Sequence, residues 1–546
     1  MKLSITSIIA AFAMALASSA NSASPPVANT IFGPVVNTIY GPVKGTLTPG
    51  VTEFLGVRYA APPTGNLRWT PPQPPERWFL PMNATQFGNA CPQLESPFPA
   101  VPTAEDCLFL NVYVPTRNLT NLFKQFPVMV WIHGGSLYSG ASNYFDPTPL
   151  VKNGNVIVVS INYRLGFLGF LAHPALSAET AYGGSGNYGL MDQQFAMSWV
   201  ARNIAAFGGN PRNVTIFGES ASVLAHLASP TAAGLFNRAI AETGVNNLGL
   251  TFNSRTSAEA IGTAFANYVG CQTADCLRSI DLQNLLDRSG EFFPDQAFVP
   301  DVDGNVLTQA PDVAFQSGQF NRVPVINGTN HDEYRYFLRV LAFDDLEQAA
   351  GGYDNFLSSY YGPLLGGFLS VYYPLADYQN NFNLAYATLV TDGYYSCSAL
   401  VTDQALSQHV RTYAYEFADE NAPPILPPFG GLPQGSEYFS EAQYLFNVSA
   451  LGEPTVPFTA SQQLLSNTMI RYWTDFATSG NPNQTGLSYW PSFSGPPAQQ
   501  NFLSLVPPSP VVEPESAFST DHQCVTDRLP LPFNWLYFIG GVQASQ

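Results

Sequence analysis

Hydrophobic and polar positions along the 546-residue chain fall into two alternating rhythms. Short uninterrupted apolar runs, rich in β-branched residues, alternate with longer stretches whose apolar residues recur at helical spacing. "FPVMVWI" (Phe126–Ile132) and "NVIVVSINY" (Asn155–Tyr163) predict buried strands. "LMDQQFAMSWVARNIAAF" (Leu190–Phe207) predicts a helix. "NVTIFG" (Asn213–Gly218) predicts a strand, followed by a helix over Ala221–Ala228. "RVPVIN" (Arg322–Asn327) and "RTYAYEFA" (Arg411–Ala418) predict two more strands, spaced widely enough for inserted helices to cover a site. Strands that are apolar on both faces and alternate with helices imply an α/β fold. Its expected form is a large, mostly parallel central sheet flanked by helices. Near the N-terminus "NTIFGPVV" (Asn29–Val36) is followed by "NTIYGPVK" (Asn37–Lys44). This duplication predicts small antiparallel strands, each ending at its Gly-Pro. No linker or repeat array interrupts the chain, so residues 21–546 read as one domain.

In such a sheet chemistry collects at the carboxyl ends of the strands. After Ile132 comes "HGGSLYSG", after Phe217 "GESAS", after Asn327 "GTNHDEYRYF", and after Ala418 a loop leading to "GSEYFSEAQYLF". A serine hydroxyl becomes a nucleophile when a base, usually histidine, is held by a carboxylate, with N–H donors waiting for the oxyanion. A strand–turn–helix with small residues at the turn exposes such a serine, and Gly218-Glu219-Ser220-Ala221 has that form. An ordinary helix-capping serine is the structural alternative. In His133–Ser136 two glycines let backbone N–H groups approach a ligand; a flexible turn is the alternative there.

Longer segments carry a resemblance. "FLGVRYAAPPTGNLRWTPP" (Phe54–Pro72), "EDCLFLNVYVP" (Glu105–Pro115), "WIHGGSLYSGAS" (Trp131–Ser142) and "NYGLMDQQFAMSWVARNIAAFGGNPRNVTIFGESA" (Asn187–Ala221) resemble the type-B carboxylesterase/lipase family. So do "GLFNRAIAETG" (Gly234–Gly244), "INGTNHDEYRYFL" (Ile326–Leu338) and "RYWTDFATSGNPN" (Arg471–Asn483). The resemblance implies the α/β-hydrolase fold and hydrolysis of small-molecule carboxylic esters without a cofactor. It implies Ser220 as nucleophile, Glu333 as the acid, and the N–H groups of Gly135, Ser136 and Ala221 as oxyanion donors. It also implies disulfides Cys91–Cys107 and Cys271–Cys276, which leaves Cys397 and Cys524 as the remaining pair.

The chain departs from the family in three places. Ser136 replaces a glycine. About three residues are missing after Ala221, where Ser222 stands in place of a second glycine; a misplaced splice boundary would also produce that gap. Tyr438 occupies the histidine position in "YFSEAQYLF", and tyrosine, titrating near 10, is a poor base at neutral pH. The six histidines, His133, His173, His226, His331, His409 and His522, all lie elsewhere and read as packing or surface residues.

Composition narrows the setting. A net charge of −18 with scarce Lys and Arg excludes nucleic acid as a partner. Residues 1–20 read as a signal peptide, with Lys2, the apolar run Ile8–Leu16 and the small residues Ser18–Ala20. No segment is long and apolar enough to span a membrane. A secreted, extracellular protein follows, and six cysteines fit that compartment. Sequons at Asn83, Asn118, Asn213, Asn447 and Asn483 are glycosylation candidates; a sixth, Asn327, adjoins the acid motif. No metal-ligand spacing occurs, and "GSGNYG" (Gly184–Gly189) lacks the preceding strand of a dinucleotide site. The Cys91–Cys107 loop holds one aromatic residue, Phe98, and no Trp that would favour choline esters by cation–π attraction. Its shortness fits an esterase of soluble esters better than an interfacial lipase. Tyr334, Tyr336 and Phe337 beside the acid suggest an apolar gorge or ordinary core. The expected function is a secreted serine ester hydrolase with an impaired site; a non-catalytic extracellular binding protein on the same fold is the alternative.

Overall fold

The computed structural model describes residues 28–30, 33–94, 98, 100–116, 125–219, 221–244, 252–292, 298–341, 351–426, 432–448 and 456–524. The signal-peptide reading, Ser220 and Asn118 lie outside these residues.

An 11-stranded sheet forms the centre. Its strands in chain order are β1 (Thr46–Thr48), β2 (Val51–Arg58), β3 (Phe109–Pro115), β4 (Phe126–Ile132), β5 (Ile157–Ile161) and β6 (Gly209–Glu219). Then come β7 (Arg238–Glu242), β8 (Val325–Asn330), β9 (Thr412–Phe417), β10 (Asn501–Leu505) and β11 (Val511–Pro514). Their spatial order is β1-β2-β3-β5-β4-β6-β7-β8-β9-β10-β11. The run from β5 to β10 is parallel throughout. The pairs β1·β2, β2·β3, β3·β5 and β10·β11 are antiparallel.

The apolar runs are continuous because both faces of the sheet are covered. In β4, Val128, Val130 and Ile132 join one core cluster, while Met129 and Trp131 join the other. The helix Tyr188–Asn203 packs on the first face, through Met197 and Val200. The helix Ala460–Ser479 packs on the second, through Met469 and Trp473. A capping box starts that second helix: the Thr459 hydroxyl accepts from the Gln462 N–H, and the Gln462 side chain accepts from the Thr459 N–H. Gly480, at φ +77°, ends it.

Element boundaries differ modestly from the sequence pattern. The strand expected at Arg322–Asn327 lies at Val325–Asn330, because Pro324 has no N–H for the ladder and the polar Gly-Thr-Asn run pairs fully with β9. The N-terminal duplication forms antiparallel strands, Gly33–Asn37 on Pro42–Lys44. Gly-Pro opens each of these strands instead of closing it. Gly33 turns the chain at φ +101°, and a first-position proline costs no ladder bond. All six cysteines pair, as Cys91–Cys107, Cys271–Cys276 and Cys397–Cys524. No helix among the described residues is long and apolar enough to cross a membrane.

Candidate active site

Register brings the site together. Glu219 ends β6 directly beside Glu242, which ends β7. Glu242 in turn pairs with Gly328 of β8, five residues before Glu333. A Cβ at Gly218 would collide with the Ile132 carbonyl oxygen, so glycine lets β6 close on β4 just where the "HGGS" loop leaves it. The helix Ser222–Ala228 begins three residues past Glu219 in the chain. Ala221 is buried at the head of that helix. The Ser222 hydroxyl accepts a 3.0 Å bond from the Gln193 side chain.

The glycine loop is clamped from two sides. Gln93 donates to the Gly140 carbonyl and accepts from its N–H, at 3.0 and 2.9 Å. Tyr163 donates to the His133 carbonyl at 2.8 Å. Ser136 sits at φ +54°, a left-handed conformation that favours glycine. Thr243 (φ +51°) and Phe439 (φ +70°) are held in the same region. Leu137, next to Ser136, lies there too at φ +66°, and four such non-glycine residues around one site mark stored backbone strain, of order 1–3 kcal/mol each.

Glu333 is fully buried. Its Oε1 accepts from the Thr243 and Thr329 hydroxyls at 2.7 and 2.9 Å and from the Asn330 N–H at 2.8 Å. Its Oε2 has no hydrogen-bond partner among the described residues. Asp332 ties this loop to the Tyr438 loop: its N–H donates to the Ser436 carbonyl, and its carboxylate accepts from the Ser436 N–H, each at 2.9 Å. An Arg339–Glu437 ion pair at 3.1 Å adds a second tie.

Tyr438 is buried, its ring between Phe337 and Phe439 at centroid distances of 5.1 and 4.1 Å. Tyr336 packs on both Tyr438 and Phe439, so the aromatic crowd near the acid is core wrapped around this ring. The Tyr438 hydroxyl accepts a 3.4 Å bond from the Gly135 N–H. A Cβ on Gly134 would lie 2.6 Å from that hydroxyl oxygen and 3.1 Å from Glu219 Oε2, so both groups crowd onto the glycine loop. Burial, then the charge of Glu219, pushes the phenol well above its ordinary value.

The six histidine rings are engaged elsewhere. His133 stacks on Tyr163 and His226 bonds Gln193 Oε1 at 2.6 Å; burial lowers them to about 4 and about 3. His173 caps a helix by accepting from the Ala175 N–H, and His409 packs on Phe320. His331 and His522 lie among a separate set of carboxylates.

A group of buried acids escaped the sequence reading. Glu219, Glu242 and Glu441 present carboxylate oxygens within 4.8 Å of one another. Trp473 Nε1 donates to Glu242 at 2.6 Å and Asn330 Nδ2 to Glu441 at 2.5 Å. Burial raises all three and Glu333, and the charge of Glu441 adds to the rise in the other three. The available signal was a glutamate closing each of two adjacent strands. These groups stay protonated in the fold at pH values where the unfolded chain has released its protons. Their stabilising share is present below the ordinary glutamate value, about 4.3, and is lost as pH rises through the elevated folded values. Glu441→Gln is expected to flatten the decline of stability with rising pH by roughly 1.4 kcal/mol per pH unit for each proton removed from the balance. Urea melts across that range check it; an unchanged slope refutes it.

Residues 33–517 match the model of the carboxylesterase family. Over 486 residues the chain is 34% identical to cocaine esterase of Oryctolagus cuniculus, covering 84% of this chain and 88% of that one. It is 33% identical over 475 residues to acylcarnitine hydrolase of Mus musculus, covering 81% of each. Among solved structures, a thermophilic PNB esterase superposes with a TM-score of 0.74 at 32% identity, covering 89% of this chain and 99% of that one.

Proposed function

From the premise that the chain belongs to the carboxylesterase family, whose fold and chemistry are those of carboxylic ester hydrolases, we propose that it is a secreted serine ester hydrolase with a disabled proton relay. Ser220 takes the nucleophile's place, Glu333 the acid's, and Gly135, Ser136 and Ala221 the oxyanion donors'. The observation that carries the proposal is the 3.4 Å bond from the Gly135 N–H to the Tyr438 hydroxyl. The side chain in the histidine position supplies no base at neutral pH, and it also engages a donor the tetrahedral oxyanion needs. Three disulfides support an oxidising compartment. The Asn83 side chain is exposed and suits glycosylation, while the exposed Asn447 amide donates to the Asp146 carboxylate at 2.8 Å. The amides of Asn213 and Asn483 already donate to the Thr478 and Trp490 carbonyls. Asn327 is buried in β8.

Hydrolysis of p-nitrophenyl acetate by the purified chain, with Ser220→Ala as control, tests the proposal. The expected rate exceeds the water reaction by no more than about 10³–10⁴-fold, the residue left by binding and oxyanion contacts after loss of a triad member. Ser220-dependent turnover at about 1–10³ s⁻¹, the ordinary enzyme range, would overturn it. The alternative role, extracellular binding without catalysis, gains support if Ser220→Ala changes nothing.

A further inference from the structure

Beyond the ester site, the carboxyl ends of β8 and β9 and the C-terminal helix Glu515–Asp521 gather two imidazoles among carboxylates. His331 directly follows β8, and its N–H donates to the Phe417 carbonyl at 3.0 Å. His522 directly follows the C-terminal helix, two residues before the Cys397–Cys524 disulfide. Their ring centroids are 5.1 Å apart. One nitrogen from each ring and one oxygen of Asp521 all lie within 4.8 Å of one another.

Both rings are oriented in the same way. Each Nδ1 faces a carboxylate, Asp332 for His331 at 3.1 Å and Asp392 for His522 at 2.7 Å. Each Nε2 faces another, Asp521 for His331 at 3.1 Å and Glu416 for His522 at 2.5 Å. An imidazole whose Nδ1–H is held by a carboxylate presents its other nitrogen to a metal in the correct tautomer. Asp392 is itself held by the Tyr373 hydroxyl at 3.0 Å, and it belongs to a π-helical turn, Thr391–Ser396, a form that recurs at functional sites.

We propose that His331, Asp521 and His522, with Glu416 as a further donor, form a divalent transition-metal site suited to Zn²⁺. Two imidazoles bound to one zinc at about 2.0–2.1 Å in tetrahedral geometry place their centroids about 5 Å apart, which is the separation found. Nitrogen donors favour Zn²⁺ over Ca²⁺ or Mg²⁺, which take oxygen. Closing the ligand atoms to bonding distance requires movement, and the two ligands that must move are accessible: the His331 side chain is 34% exposed and that of Asp521 64%. The bound ion would fasten the C-terminal helix to the segment that carries Glu333.

The test is calorimetric titration of the chelator-treated, dialysed full chain with ZnCl₂ at pH 7.5, with a Co²⁺ absorption spectrum as a second measurement. One ion per chain, an intense visible Co²⁺ band of tetrahedral type, weaker binding at pH 5 and a raised Tm in zinc are expected. His331→Ala and Asp521→Asn are each expected to weaken binding by at least about 100-fold, while His409→Ala leaves it intact. Absence of stoichiometric binding by the native chain, a weak octahedral Co²⁺ spectrum, or full binding by a chain carrying both His331→Ala and Asp521→Asn would overturn the proposal. The Co²⁺ spectrum of the native chain decides the matter even if a variant fails to fold.

Discussion

Tyr438→His is expected to raise Ser220-dependent ester turnover by about 100-fold or more, the contribution of a positioned general base. The native phenol is held protonated by burial. An imidazole in its place titrates near 6.5 in its unperturbed state, so it is available as a base at neutral pH. Glu333 is ready to orient it: Oε1 is fixed by three donors, while Oε2 has no partner among the described residues. The exchange also releases the Gly135 N–H from the phenol oxygen. Tyr438→Phe separates the two effects, since it frees the donor and supplies no base; its expected gain is small. The variant pair is compared by kcat and by a pH–rate profile, where the histidine variant alone should show a rising limb in the range of an imidazole. If a folded Tyr438→His protein shows no gain, three small residues added after Ala221 test whether the short helix start withholds Ser220. No gain from the combined variant would refute the assignment of position 438 to the base.

Asp192→Asn is expected to cost about 3–5 kcal/mol of stability, the usual loss when one partner of a buried ion pair is removed. Arg164 meets Asp192 through Nε at 2.7 Å and an Nη at 2.8 Å, and the Arg164 N–H adds a third bond at 3.1 Å. Both side chains are buried, at 3% and 0% exposure, so the guanidinium would be stranded away from water. The consequence reaches the site. The pair joins the helix Tyr188–Asn203 to the segment after β5, where the Gly166 N–H holds the Leu137 carbonyl of the glycine loop at 2.8 Å. The check is the urea midpoint of Asp192→Asn against the native chain. A double change to Arg164→Met and Asp192→Leu should cost less than the single one, because no unpaired charge remains. A single-variant loss under about 1 kcal/mol would mean that water reaches the arginine.

The five strands read from the sequence, β4, β5, β6, β8 and β9, were legible from apolar runs that need no partner to be recognised, whereas β1 and β11 are mostly exposed and carry no such run. β4 follows its apolar run residue for residue. β8 was legible only in its first half: Val325 and Ile326 carry the signal, while Asn327–Asn330 are polar and join the ladder because β9 supplies partners. The catalytic-looking loops were legible from their glycines and their place after strands. The acid cluster was not, because the burial of Glu219, Glu242 and Glu441 depends on three separate segments closing over them. The pairing of Asp392 with His522, 130 residues apart in sequence, carries no local pattern either.

The sequence by itself determined the α/β architecture, the kinship with ester hydrolases and the absence of histidine at position 438, since periodicity and residue identity are local properties. Where the Tyr438 side chain lies was decided only by the tertiary structure. The Tyr438 hydroxyl lies against the glycine loop because Phe337, Tyr336 and Phe439 enclose its ring, and the Asp332–Ser436 bonds hold its loop against the Glu333 segment. Proton affinities were decided there too: a glutamate's charge state depends on the water and charge around it, and segments distant in sequence set both.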